Sequence, residues 1–273
     1  MKKIISVALA AGVGFAYSIM PYGAYINYSS KSVKDKGYIG GIYGSVYKAP
    51  FKFELDGEHT KIKYKNNLKN WNQTDLTALV HFYKGYNYEF KIGIHNIWSK
   101  QYSKEFDKIF IGGIQYYKYL KHNYGTDIYY SVYKNFRVYQ ISPYIGFNFG
   151  NYYSEIGSFY FQTKLNHIHI NKSNVSNKQT YNDIDLKISN YKGPYTTTLK
   201  ATFGKSTYKV ANSGFVVYNL GDETKYNYGI DINYAINKQS SFKVGFYRNK
   251  LQEQNTNTDY YSNIFTLSYL RAF

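Results

Sequence analysis

The segment Tyr88-Glu89-Phe90-Lys91-Ile92-Gly93-Ile94-His95 decides how the chain is to be read. Its even positions are apolar, and its odd positions are charged, small or polar. Successive side chains of a strand point to opposite faces, so this pattern describes a strand with one apolar face and one wet face. The same period returns along the chain. Tyr226, Tyr228, Ile230, Ile232 and Tyr234 alternate with Asn227, Gly229, Asp231 and Asn233. Ile184, Leu186 and Ile188 alternate with acids, a lysine and a serine, as do Phe242, Val244 and Phe246 with Lys243, Gly245 and Tyr247. Tyr139, Ile141, Ile145, Phe147 and Phe149 complete the set. No helical periodicity of comparable strength occurs beyond residue 18.

Composition agrees with strands. The 273 residues include 36 Tyr, 18 Phe and 2 Trp, so 21% of the chain is aromatic. Aromatic residues favour the pleated surface, and a chain this rich in them can offset its ordering entropy. The absence of cysteine removes disulfide scaffolds, thiolate metal sites and thiol catalysis. A mean hydropathy of −0.51 excludes a multi-helix membrane protein. The net charge of +17 invites a nucleic-acid reading, but the basic residues are scattered rather than assembled in a known module.

Residues 1–18 read as an export segment. Lys2 and Lys3 form a basic start, Ile4 to Phe15 is an apolar run, and Ala16-Tyr17-Ser18 supplies small residues at the −3 and −1 positions of a cut after Ser18. This leaves residues 19–273 as a single domain. With the protein exported, nucleic acid is not an expected partner.

Short breaks lie near 48–50, 84–87, 121–125, 150–151, 192–194 and 237–240, and longer polar ones near 30–37, 65–72, 99–107, 170–180, 205–223 and 251–258. The connection at 134–137 is short where a long one is expected. The count comes to about fourteen strands, with twelve to sixteen possible. Short turns at one end and long loops at the other are the pattern of a transmembrane antiparallel up-and-down β-barrel, with both termini on the periplasmic side. Runs of roughly 10–14 residues suit a tilted bilayer crossing better than a soluble strand of about 5–6. Tyr22, Tyr28, Tyr38, Tyr64, Tyr88, Tyr226, Tyr234 and Tyr269, near strand ends, are expected to form an interfacial girdle. Charges on the polar face suit a water-filled lumen, since a dry core could not hold them cheaply.

The last strand carries a specific likeness. Phe265, Leu267, Tyr269 and Phe273 share one face, and Phe273 is the final residue. This resembles the C-terminal assembly signal of Gram-negative outer-membrane β-barrel proteins, and in size and strand number the chain resembles their small monomeric porin-like members. Arg271 departs from the pattern, and it can snorkel to the interface. The resemblance implies residence in the outer membrane, contact with its lipid and lipopolysaccharide, and recognition by the barrel assembly machinery.

The polar face nominates Lys52, Glu54, Glu89, Lys91, His95, Tyr144, Lys164, Asp183, Asp185, Lys187, Lys200, Asp231 and Lys243 as lumen-lining residues. Tyr129, Tyr160 and Tyr247 fall on the same face and would narrow the lumen. Further lysines crowd near the loops at 31–36, 61–69 and 118–121. The expected function is passive passage of small hydrophilic solutes, with a weak preference for anions. The competing expectation is a structural or surface-interaction protein with a blocked lumen and binding loops at 170–180 and 205–223.

No catalytic constellation emerges. None of the six histidines has a serine two residues downstream, and no GxGxxG, GxxxxGK[ST] or GxSxG occurs. His167 and His169 share a face but lack further convergent ligands, so no metal site and no cofactor are expected. Asp183 and Asp185 beside Lys187 read as solvated lumen carboxylates.

Overall fold

A computed structural model describes residues 16–85, 87–99, 107–118, 121–172 and 175–273. The expected export segment up to residue 15 and most of the 99–107 loop lie outside the described residues. The strands are β1 Ala16–Tyr28, β2 Lys34–Lys48, β3 Phe51–Tyr64, β4 Trp71–Lys84, β5 Tyr88–Ser99, β6 Asp107–Lys118, β7 His122–Val132 and β8 Arg137–Gly150. There follow β9 Ser158–Ile170, β10 Thr180–Lys192, β11 Tyr195–Ser206, the two-residue β12 Val210–Ala211 and β13 Val216–Val217, β14 Glu223–Ala235, β15 Ser240–Glu253 and β16 Thr258–Ala272. All but β12 and β13 join one closed antiparallel barrel of fourteen strands. Chain neighbours pair throughout, β11 pairs β14 across the intervening segment, and β1 closes on β16. Closure satisfies every strand edge, which a sheet in hydrocarbon requires.

Alternation sets what each face meets. The outward side of β8 carries Tyr139, Ile141, Ile145, Phe147 and Phe149, each about half exposed. Ile92, Ile42 and Phe203 point the same way, 69%, 62% and 56% exposed. The belt from Tyr139 to Phe149 covers ten residue steps. At about 3.3 Å per step and about 40° of tilt this is about 25 Å of height, the apolar thickness such barrels present to a bilayer.

Near the loop end the polarity of the two faces exchanges without a register slip. On β3 the outward series runs Phe51, Phe53, Leu55 and then His59, Lys61, Lys63, all exposed. On β9 it runs Phe159, Phe161, Leu165 and then His167, His169. At that level the inward face turns apolar: Ile62, Trp71, Ile97, Ile109, Val138, Ile168 and Ile170 are buried. The strands therefore project past the hydrocarbon and end as a water-surrounded collar with a small dry core of its own.

That exchange corrects part of the expected girdle. Tyr38, Tyr88, Tyr226, Tyr234 and Tyr269 lie on the outward face, but Tyr22, Tyr28 and Tyr64 turn inward. Tyr22 hydrogen-bonds acidic groups of β3, while Tyr28 and Tyr64 pack into the collar core. Turn lengths also differ from expectation. Lys34 and Lys36 belong to β2 rather than to a loop, and the connection expected at 150–151 runs from 151 to 157. Strand β1 begins at Ala16, so the expected cut after Ser18 would fall within it. At the other terminus Phe273 stacks on Tyr17, with ring centroids 4.9 Å apart, and Arg271 bonds Ser240 Oγ at 2.8 Å.

Candidate functional site: the lumen and its inward strap

All thirteen residues nominated as lumen-lining sit on inward positions of their strands, paired in register with other inward residues. They sort into two walls. On β3 to β5 stand Glu54, Asp56, Glu58, Asp75 and Glu89, with Lys52, His81, Lys91 and His95 among them. Glu54 is bonded by Lys52 Nζ at 2.8 Å, by His81 Nε2 at 2.5 Å and by the Tyr43 hydroxyl, and His81 Nδ1 meets Glu89 at 2.7 Å. Tyr22 Oη lies 3.0 Å from Asp56 and 2.9 Å from Glu58. No ion pair is formed by Asp56 or Glu58 among the described residues, so the acidity of this wall is only partly neutralised.

Across the barrel, β9, β10, β11 and β15 present Lys164, Lys187, Lys200 and Lys243. Lys187 and Lys200 are direct cross-strand partners, a like-charge pairing that is unfavourable by itself. Asp231 holds Lys200 at 2.9 Å, and Asp127 bridges Lys91 at 2.7 Å and Lys164 at 2.8 Å. Lys187 and Lys243 make no ion pair among the described residues. Lys187 Nζ lies over the Tyr160 ring, 5.5 Å from its centroid.

Residues 207–222, the segment between β11 and β14, do not extend outward as a binding loop. They fold into the lumen as a strap. Lys209 reaches β10 and bonds Asp183 at 2.8 Å and Asp185 at 2.7 Å. Asp183 and Asp185 are therefore the anchor of the strap, and their cation is Lys209 rather than the neighbouring Lys187. On β8, Gln140 exchanges two 2.8 Å bonds with the backbone of Val210. Farther round, Lys91 of β5 bonds Ser213 at 2.9 Å, Phe215 packs edge-on against Tyr43 of β2, and Asn219 bonds Gln73 of β4 at 2.8 Å. Lys34 of β2, expected as a loop lysine, is buried and paired with Asp222. Gly214 takes φ +103° and lies against Ile111 of β6 so closely that a Cβ would stand 2.2 Å from Ile111 Cδ1. Only glycine meets both demands.

The strap divides the lumen. Below it, at the turn end, a vestibule of about 330 Å³ is lined by Gln115, Asn123, Asn148, Tyr160, Lys187 and Tyr191 with rim residues Tyr117, Lys118 and His122. A second, separate cavity of about 10 Å³, room for one water, lies beside Glu89, Lys91, Asp127 and Tyr144. Among the described residues no cluster of three potential metal ligands forms, and His167 and His169 point outward.

Sequence reading missed the strap and four of the lumen acids, Asp56, Glu58, Asp75 and Asp127. Asp56 and Glu58 continue the alternation of Glu54 with Leu55 and Gly57 and could have been found by it. Lys209, Gly214, Phe215 and Asn219 follow no period, so no local signal marks them.

No protein-family model matches the chain, and no curated protein matches it. Solved structures do. A mutant of the TodX monoaromatic hydrocarbon channel superposes with a TM-score of 0.60 at 7% identity, over 97% of this chain and 92% of that one. The CymD monoaromatic hydrocarbon channel gives 0.55 at 8% identity, covering 95% and 88%. Omp33, an outer-membrane protein of Acinetobacter baumannii, gives 0.50 at 9% identity, covering 96% and 100%. The fold is that of these closed barrels. At these identities the likeness concerns architecture, and no side chain of the lumen is carried across by it.

Proposed function

We propose that the protein is a passive outer-membrane channel for small hydrophilic solutes, narrowed by the strap at 207–222. One observation carries this reading: a wall of charged and hydroxylated side chains encloses a water-accessible vestibule inside a barrel whose outer surface is an apolar belt. Selection follows from width and field, with no chemical step. The solved barrels of similar architecture that are described as channels support it.

The expected anion preference has no single-sign ring to sustain it. Lys36, Lys61 and Lys63 face outward and Lys34 is neutralised, while the remaining lumen lysines face an acidic wall. Opposed walls orient a dipole and disfavour a free ion of either sign near the wrong wall. Small zwitterions and neutral polar solutes fit this field best.

Planar-bilayer recording of the purified chain tests the reading. Discrete steps of small conductance are expected, with a reversal potential near zero in a salt gradient. Deleting residues 209–219 should enlarge each step several-fold. Folded protein that gives no steps, with or without the strap, rejects the channel. The export segment remains part of the same proposal, with N-terminal sequencing of the membrane-inserted form as its check.

A further inference from the structure

The vestibule at the turn end differs in chemistry from the rest of the lumen. None of the residues lining its 330 Å³ carries a carboxylate, although acids stand on the inner wall of β3 to β5. Lys187 of β10 brings an ammonium to it that forms no ion pair among the described residues. Its cross-strand partner is a second cation, Lys200, which has Asp231 as its own counter-ion at 2.9 Å. Lys187 is left with a like charge beside it, an arrangement that an added anion would relieve.

The neutral lining groups are turned the same way. Tyr144 donates its hydroxyl to Gln115 Oε1 at 2.9 Å, and Tyr160 donates to Asn123 Oδ1 at 2.9 Å. Both amide oxygens are thus engaged, and the two NH2 groups, bonded to no other described residue, are what remains to meet a ligand. Tyr160 is held in place, since a Cβ on Gly146 beneath it would stand 2.3 Å from its hydroxyl oxygen and Lys187 lies over its ring. Asn148 is exposed, and its side chain bonds no other described residue. The cavity is a set of donors around one unpaired cation. A solute rich in acceptors and carrying one negative charge meets such a set with charge-assisted hydrogen bonds.

From this we infer that the vestibule is a binding site for a small sugar acid. The carboxylate engages Lys187, and the ring hydroxyls accept from Gln115, Asn123 and Asn148. The apolar face of the sugar ring lies along Tyr191, because Lys187 already covers Tyr160. Other solutes fit the donor set less well. A neutral sugar lacks the ion pair, an amino sugar brings a second cation to Lys187, and an aromatic acid leaves the amide donors without acceptors. A phosphate dianion finds one unpaired ammonium for two charges. With no carboxylate in its lining, the vestibule can hold a free anion that the opposed walls disfavour elsewhere in the lumen. Such binding takes place from the turn end and does not require the lumen to conduct.

The test is isothermal titration calorimetry of the purified full chain in neutral detergent with five probes: D-glucuronate, D-glucose, D-glucosamine, benzoate and inorganic phosphate. Glucuronate should bind at least about tenfold tighter than each of the others, as a charge-assisted contact added to the amide bonds predicts. Lys187→Gln should reduce glucuronate to the affinity of glucose. Lys238→Gln, exposed in the turn between β14 and β15 at the same end of the barrel, should leave it unchanged. Absence of glucuronate binding, equal affinity for any other probe, or a preference that survives Lys187→Gln overturns the site. Should Lys187→Gln fail to fold, the five-probe comparison on the natural chain decides alone. A chain that binds glucuronate but gives no steps in bilayers keeps the site and loses the channel, and one that conducts but binds none of the probes does the reverse.

Discussion

Replacing Lys209 by Met would test whether the strap is held by its ion pairs. The Lys209 side chain is 6% exposed and bonds Asp183 and Asp185, whose side chains are 0% and 30% exposed. Removing the cation leaves Asp183 buried beside a second carboxylate, with Asn166 and Thr202 as the side-chain donors to the pair among the described residues. Breaking a sealed buried pair costs about 3–5 kcal/mol. Water reaches Asp185, so the low end, about 3 kcal/mol, applies to the docked strap relative to the undocked one. At 1.4 kcal/mol per factor of ten, this moves the balance roughly 100-fold toward the open lumen. Single-channel recording should show longer and larger openings in Lys209→Met than in the natural chain. Lys209→Met/Asp183→Asn, which removes the stranded charge, should recover much of the closed behaviour. A natural-like trace from Lys209→Met would show that the strap is fixed by its other contacts and that this reasoning is wrong.

Ile230→Arg places a cation on the lipid face and should cost about 2–4 kcal/mol of insertion stability if the residue lies near the midplane, whereas lumen-facing Asn233→Arg should cost less; equal shifts in urea titrations of vesicle-inserted protein would contradict the assigned faces. Gly214→Val meets both the φ of +103° and the Ile111 contact, so it should raise channel conductance while the heat-modifiable migration of the folded barrel is unchanged. The natural chain has no cysteine, which permits clean single-site labelling. In bilayers Lys187→Cys should react with a charged, water-soluble thiol reagent and Ile92→Cys should not, and the reverse result would invert inside and outside.

Much of this architecture could be read from the chain before any coordinates. A period of two fixes which side chains share a face, because the strand geometry that produces it is local. Lys52, Glu89, Lys164, Lys187, Lys200 and Lys243 could be placed on one face for that reason alone. The strand number followed from counting turns, and the membrane belt from the length of the apolar runs.

Face polarity near the loop end was not legible in the same way. Tyr22, Tyr28 and Tyr64 look like girdle residues in sequence, yet Tyr28 and Tyr64 fill the collar core, where the barrel rises out of the hydrocarbon and its wet side becomes the outside, while Tyr22 faces the charged lumen and bonds Asp56 and Glu58. Where the bilayer ends is a property of the assembled cylinder, not of any one strand.

The chain alone determined a closed, alternating barrel, since pairing period and run length are written residue by residue. The tertiary structure alone decided that 207–222 turns inward and that Lys209 crosses to Asp183 and Asp185. It also decided that Gln115 of β6 and Lys187 of β10 line one cavity. Those contacts depend on barrel closure and shear, which bring distant strands side by side and leave no periodic trace in the sequence.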